Sequence, residues 1–310
     1  MAAAVPCSLF PVPCILMRVV AQPAIVLHAR RWRETSLLVE LFTRDHGRVG
    51  VIARGTQGPK RQPLRAALQP LQAIHVDYLQ RGELATLLQA EAADGLPRLV
   101  GDALLAALYL AELTLRLLPR DDPASALFLR FGDALRGLGG LHGAFDSGSD
   151  QPVALAWTLR RYERDLLDAL GYALPLELDV DGARIDPAAR YTIDPEHGPR
   201  RCASITGTST DSGRISGAGL LALASDTQPA DDLLREQRIA LRAVIAFHLG
   251  ARGLRSWGLM GEFARLLPAA NRAVRSEKSI RDSDGDVAAV LAAQIDPVVR
   301  DASSEDASAS

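Results

Sequence analysis

Nine basic side chains fall between residues 28 and 65: Arg30, Arg31, Arg33, Arg44, Arg48, Arg54, Lys60, Arg61 and Arg65. Only Glu34, Glu40 and Asp45 oppose them, so this segment carries +6 in a chain whose formal net charge is -2, leaving -8 elsewhere. Cations gathered in this way gain affinity for a phosphate backbone by releasing its condensed counterions. The asymmetry points to a nucleic acid or another anionic partner at one end of the chain. A solvated surface is the plainer use of charge, but the concentration of these cations in turns and loops weighs against it. Trp32, between Arg31 and Arg33, offers a face on which an unpaired base can stack. A core contact would use the same ring, and the sequence leaves both roles open.

Covalent chemistry finds no comparable support. The segment Gly55 to Lys60 lacks the spacing and the hydroxyl of a Walker A loop. Gly137-Leu138-Gly139-Gly140 follows a helical pattern rather than a strand, so a dinucleotide-binding turn lacks its context. Neither a nucleophile elbow nor a His-Glu-x-x-His zinc motif occurs. His197 and Cys202 are the one metal-type pair close in sequence, short of the four ligands of a structural zinc site. Asp179 and Asp181 have the spacing of solvated loop acids rather than of a general acid and base. The expectation is binding without catalysis, with no metal and no cofactor.

Two domains are expected to position these residues. With 48% hydrophobic and 23% charged residues the 310-residue chain has globular composition, and its length suits about two domains. From Pro23 to Glu91 short apolar runs alternate with turn residues: Ala24–Leu27, Ser36–Phe42, Arg48–Ala53, Leu71–Leu79 and Leu84–Gln89. The turn Thr43-Arg44-Asp45-His46-Gly47 joins the second run to the third as a hairpin. Along the third, Val49, Val51 and Ala53 alternate with Arg48 and Arg54, which puts the apolar set inward and both arginines on the opposite face. Five such strands in about 70 residues predict a small closed barrel. Gly55 to Pro63 reads as a mobile basic loop without regular structure.

After Gly95 the period becomes helical. Helices are predicted at Leu99–Leu118, opened by Pro97 and closed by Pro119; at Asp122–Gly137, with Asp122 as cap; from Pro152 to Gly171; at Asp231–Leu249, with Gly250 as an αL cap; and at Trp257–Leu267. Between them lie a glycine-rich loop at 137–149 and a long irregular stretch at 175–217, read as an appended subdomain. Asp102, Glu112 and Arg116 interrupt the richest apolar run, so it is a buried helix and not a membrane span. The three cysteines, Cys7, Cys14 and Cys202, fit a reducing compartment with no structural disulfide. Residues 1–16 read as a disordered extension or as a misassigned start ahead of Met17, and the polar residues 269–310 as a mostly disordered tail.

The stretch from Leu37 to Val49, Leu-Leu-Val-Glu-Leu-Phe-Thr-Arg-Asp-His-Gly-Arg-Val, followed by Ala53-Arg54-Gly55, Leu68-Gln69-Pro70 and Glu83 to Leu87, resembles the N-terminal domain of the bacterial DNA repair family RecO. Arg161 to Tyr172 resembles that family's central helical segment, and the likeness extends over residues 17 to 267. The resemblance implies an α+β, two-domain fold: an OB-fold barrel at 17–94, then a mainly α-helical domain at 95–268. It also implies a cytoplasmic, nucleoid-associated protein that binds single- and double-stranded DNA and anneals complementary strands. With RecR it would load RecA onto strands coated by single-stranded DNA-binding protein, whose acidic C-terminal tail it would engage; no membrane is involved. The family's positive barrel loops match Arg44, Arg48, Arg54, Lys60, Arg61 and Arg65. Many relatives carry four zinc-binding cysteines after the central helix; here the first pair would fall near Asp179 and Gly182, and only Cys202 remains of the second. The 175–217 stretch must then hold together without zinc. The rival to DNA binding is an adaptor whose basic barrel docks acidic protein tails.

Overall fold

The computed structural model describes residues 17–141, 151–202 and 214–258. The expected N-terminal extension, most of the glycine-rich loop, most of the Trp257–Leu267 helix and the acidic tail lie outside them.

Five strands form the first domain: β1 (Met17–Trp32), β2 (Ser36–Thr43), β3 (Gly47–Ala53), β4 (Ala73–Gln80) and β5 (Leu84–Ala92). They close in the order β1-β2-β3-β5-β4, with β4 returning to β1 and a parallel β3–β5 contact. This is the five-stranded arrangement of an OB-fold. Val26, Val39, Leu41, Val49, Val51, Val76 and Tyr78 fill the interior. Four strands begin and end close to their expected places, whereas β1 starts seven residues before Ala24. Its register slips between Val19 and Gln22, where Ala21 takes a positive φ of 49° and donates its N–H to Asp77 at 2.8 Å. Pro23 therefore sits beside a bulge, a place where a strand tolerates proline, and does not start the strand.

The β3–β4 connection is more ordered than its glycines and prolines suggest. Pro59–Arg61 form a 3-10 turn and Gln62–Ala67 form α1, with Pro63 in the first turn, where its missing N–H costs no hydrogen bond. Arg65 fastens the loop by donating to the carbonyls of Thr56 and Gly58, both at 2.9 Å.

The second domain contains α2 (Gly101–Leu117), α3 (Ser125–Gly140), α4 (Gln151–Ala169), α5 (Gly217–Ala224) and α6 (Asp231–Leu249). Burial of Ala106 through Leu115 leaves α2 as the central helix, apolar on every side. Its one interior acid, Glu112, accepts the backbone N–H groups of Arg255 and Ser256, both at 2.9 Å. Pro97 stands four residues ahead of α2 and so does not open it. Asp122-Pro123 likewise does not cap α3, which starts at Ser125. The segment 120–124 turns at Asp121, φ 56°, and docks against the barrel instead. Helix α3 runs on through Gly137 to Gly140, taking the start of the supposed loop; a Cβ on Gly139 would lie 1.9 Å from Pro97, so close packing explains that glycine. Gly250 ends α6 at φ 62° with an extended ψ of -148°, not an αL geometry.

The stretch 175–217 is not irregular. It holds a three-stranded antiparallel sheet, β7-β6-β8, from β6 (Arg190–Asp194), β7 (Gly198–Arg201) and β8 (Arg214–Ser216). Tyr191 and Ile215 seat it on the helical core. Asp179, where a first zinc ligand would fall, accepts the N–H groups of Asp181 and Ala183 at 3.0 and 2.8 Å. Gly182, at φ 78°, turns the chain beneath it. A side-chain-capped turn thus occupies the place of half a metal site.

Candidate nucleic-acid interface

The ladder β2–β3 separates the basic residues into two groups. At one end Leu37 pairs with Ala53; at the other Thr43 pairs with Gly47, about 20 Å away at strand rise. Trp32 pairs with Ser36 at the first end, so Arg30–Arg33 and Arg54 lie together there. The connection after β3 is tied to the same end: Thr56, fully buried, donates both its N–H (2.8 Å) and its hydroxyl (3.1 Å) to the carbonyl of Thr35. Through that staple, and through Arg65, the 3-10 turn bearing Lys60 and Arg61 is held beside the β1–β2 loop.

Eight of the ten predicted residues therefore converge: Arg30, Arg31, Trp32, Arg33, Arg54, Lys60, Arg61 and Arg65. They do not share one role. Arg31, Arg33, Arg54, Lys60 and Arg61 are exposed and make no ion pair among the described residues. Arg65 is half-buried and spends its guanidinium on loop carbonyls. Arg30 is only 7% exposed and lies over the Trp32 ring, 5.2 Å from its centroid. Arg81, exposed in the β4–β5 turn, follows Gln80, the partner of Met17, and so lies away from the Trp32 end.

Arg44 and Arg48 lie at the opposite end. Arg44 makes a two-pronged pair with Asp45 at 2.9 and 3.0 Å, holding that exposed carboxyl below its ordinary pKa. Arg48 turns away from solvent and donates to the carbonyl of Leu115 at 2.6 Å. Burial lowers its pKa, opposed by the charge of Glu40. Around it the domains interlock: Arg120 pairs with Glu40, the Asp121 N–H reaches the carbonyl of Arg48 at 2.9 Å, and the Ser125 hydroxyl reaches that of Arg44 at 2.7 Å. Phe42 completes the seam against Phe128 and Phe131, centroids 5.5 and 6.0 Å apart. Because the helical domain covers this outer face, β2 is buried on both sides, with Glu40 as its one charged residue. Sequence reasoning assigned Arg48 to a free face because alternation gives the side of a strand and not what covers it.

What remains open at the far end is a barrel rim with one half-buried aromatic ring and five cations that make no ion pair among the described residues. No group of three or more potential metal ligands occurs among the described residues, and no helix among them is long and apolar enough to cross a membrane.

Residues 17–96 match the family described as Recombination protein O N terminal, and residues 98–258 match Recombination protein O C terminal. The DNA repair protein RecO of Xanthomonas euvesicatoria is 52% identical over 240 residues, covering 77% of this chain and 95% of the relative. RecO of Stenotrophomonas maltophilia is 52% identical over 239 residues, with the same shares covered. The two matched segments coincide with the barrel and the helical domain, and the chain belongs to the RecO family of DNA repair and recombination proteins.

Proposed function

We propose that this protein binds single- and double-stranded DNA at the open barrel rim and anneals complementary strands by holding them together, with no covalent step. The observation that carries this reading is the cluster Arg31, Arg33, Arg54, Lys60 and Arg61, exposed and without counter-charges among the described residues, on a rim fixed by the Thr35–Thr56 staple. Cations that already have carboxylate partners gain little from a phosphate; these five have none to give up among the described residues. Neutralising phosphates on two strands at once lowers the repulsion that keeps them apart. Membership of the RecO family supports the wider role as a recombination mediator in the cytoplasm. In that role RecR and the acidic tail of single-stranded DNA-binding protein are the partners, and RecA is loaded as the consequence.

The test is fluorescence anisotropy of labelled strands across a salt series. Replacing Arg33, Lys60 and Arg61 together by Ala flattens the log–log salt slope by roughly 0.7 for each phosphate no longer neutralised, about 2 in all, for a single strand. Arg44→Ala, at the far end, leaves the slope nearly unchanged. Affinity that rises with strand length supports DNA as the ligand. A rim that binds an acidic peptide and is indifferent to strand length points instead to an adaptor that docks acidic tails.

A further inference from the structure

We infer that Trp32, held in place by Arg30, is the element by which the barrel rim distinguishes an unpaired strand from a duplex; this rests on the proposed DNA-binding role of the rim. Arg30 and Trp32 are two residues apart on β1 and so share one face of the strand. The Arg30 guanidinium stands 5.2 Å from the ring centroid and is 7% exposed, whereas its neighbours Arg31 and Arg33 are exposed. A cation so enclosed is poorly placed to meet a phosphate. It stands over the ring, and a guanidinium over one face of an indole fixes the ring's orientation.

Trp32 is half-exposed at the last position of β1, and its cross-strand partner is the short Ser36. Arg31 and Arg33 flank it in sequence, and Arg54, Lys60 and Arg61 belong to the same end of the barrel. The other tryptophans have no such setting: Trp157 is buried in the helical core, and Trp257 is covered by Arg242 at 4.4 Å. Trp32 thus combines a ring immobilised on one side with a phosphate-binding rim beside it. Such pre-organisation lets a base stack without a further ordering cost.

The consequence is a division of labour. Phosphates of single strands and duplexes alike meet the rim cations, but only an unpaired base has a free face to lay on Trp32. The ring therefore adds affinity for single strands alone, on the order of tenfold for one stacked base. As two strands pair, the base leaves the ring for its complement. That contribution vanishes at the moment product forms, which favours release of the annealed duplex.

The experiment compares an oligothymidylate, an abasic strand of equal length and a duplex, reading anisotropy and tryptophan fluorescence. The parent is expected to bind the oligothymidylate about tenfold tighter than the abasic strand, with quenching only by the former. Trp32→Ala should abolish this ratio and the quench while keeping the salt slope and duplex affinity. Arg30→Lys, which keeps the charge at a buried position, should keep the slope and diminish the ratio. Equal affinity of the parent for based and abasic strands overturns the inference, as does an unchanged ratio in either variant. Absence of any salt-dependent binding, by contrast, removes the proposed function itself.

Discussion

Arg120, at the entry to the helical domain, closes on Glu40 in the middle of strand β2, a carboxylate whose side chain is 2% exposed. Gly50 is the cross-strand partner of Glu40, and a Cβ there would lie 3.3 Å from the Arg120 guanidinium and 2.8 Å from Leu84. The glycine thus leaves the lane through which Arg120 enters. Removing one partner of such a pair strands the other. Arg120→Ala is expected to destabilise the protein by about 3 kcal/mol, measured by urea unfolding. The double replacement Glu40→Leu with Arg120→Met should recover part of that deficit, because no carboxylate is left stranded at position 40, although Arg48 loses the charge beside it. Additive destabilisation in the double variant would refute the pairing.

Gly47 tests the same seam from the backbone. At φ 65° it also lies so close to Asp122 that a Cβ would be 1.8 Å from that residue's carbonyl oxygen. Gly55 has a similar φ of 61° with open space around it. Gly55→Ala should therefore show only the conformational penalty, about 1 kcal/mol, whereas Gly47→Ala should cost clearly more and raise protease sensitivity in the linker 93–98. Equal destabilisation by the two substitutions would mean that the close approach to Asp122 contributes nothing.

Acid should loosen the small sheet on its helix. Glu236 of α6 is partly buried, which opposes ionisation. The N–H and hydroxyl of Ser216, at 2.9 and 2.7 Å, and the guanidinium of Arg190 outweigh this and hold the carboxyl below its ordinary pKa. A depressed folded-state pKa gives stability that is present above the unfolded value and lost as pH falls through the folded one. Stability contributed by this group should thus decline below the usual carboxylate range, near pH 4. Glu236→Gln should be less stable than the parent at pH 7 and close to it at about pH 3, as read from denaturant midpoints. A constant difference across that window would exclude the linkage.

Metal should be irrelevant to the 175–217 segment. Asp179 and Gly182 shape a hydrogen-bonded turn where relatives' first zinc ligands would fall. Chelation should leave the melting temperature unchanged, while Asp179→Ala should lower stability by about 1 kcal/mol by removing a turn-capping acceptor. Zinc near one equivalent per chain by elemental analysis would contradict this.

The barrel was legible where local pattern decides structure. Val49, Val51 and Ala53 alternate inward as their spacing requires, and the Asp45–Gly47 turn closes its hairpin. The first half of β1 was hidden because Pro23 reads as a strand start unless the bulge at Ala21 is known. Proline and glycine also concealed α1, since composition does not reveal that Arg65 would pin the loop carbonyls. Of the binding rim, the identity of the cations was readable but their grouping was not. Arg44 and Arg48 belong to the same charge run as Arg33 and Lys60, yet the strand pairing carries them to the other end. The seam they occupy depends on Glu40 meeting a residue 80 positions away, which no local signal encodes.

Much of that seam is made of peptide groups: the carbonyls of Arg44, Arg48 and Leu115 and the amide of Asp121 receive or give its hydrogen bonds. Peptide groups are the same whichever residue carries them. A lineage can therefore exchange the side chains of Arg44, Leu115 and Asp121, which give the seam only peptide groups, and keep these hydrogen bonds so long as the Arg48 and Ser125 donors stay. Positions 47 and 50 are exceptions, because a side chain at 47 meets the Asp122 carbonyl and one at 50 crowds Leu84 and Arg120.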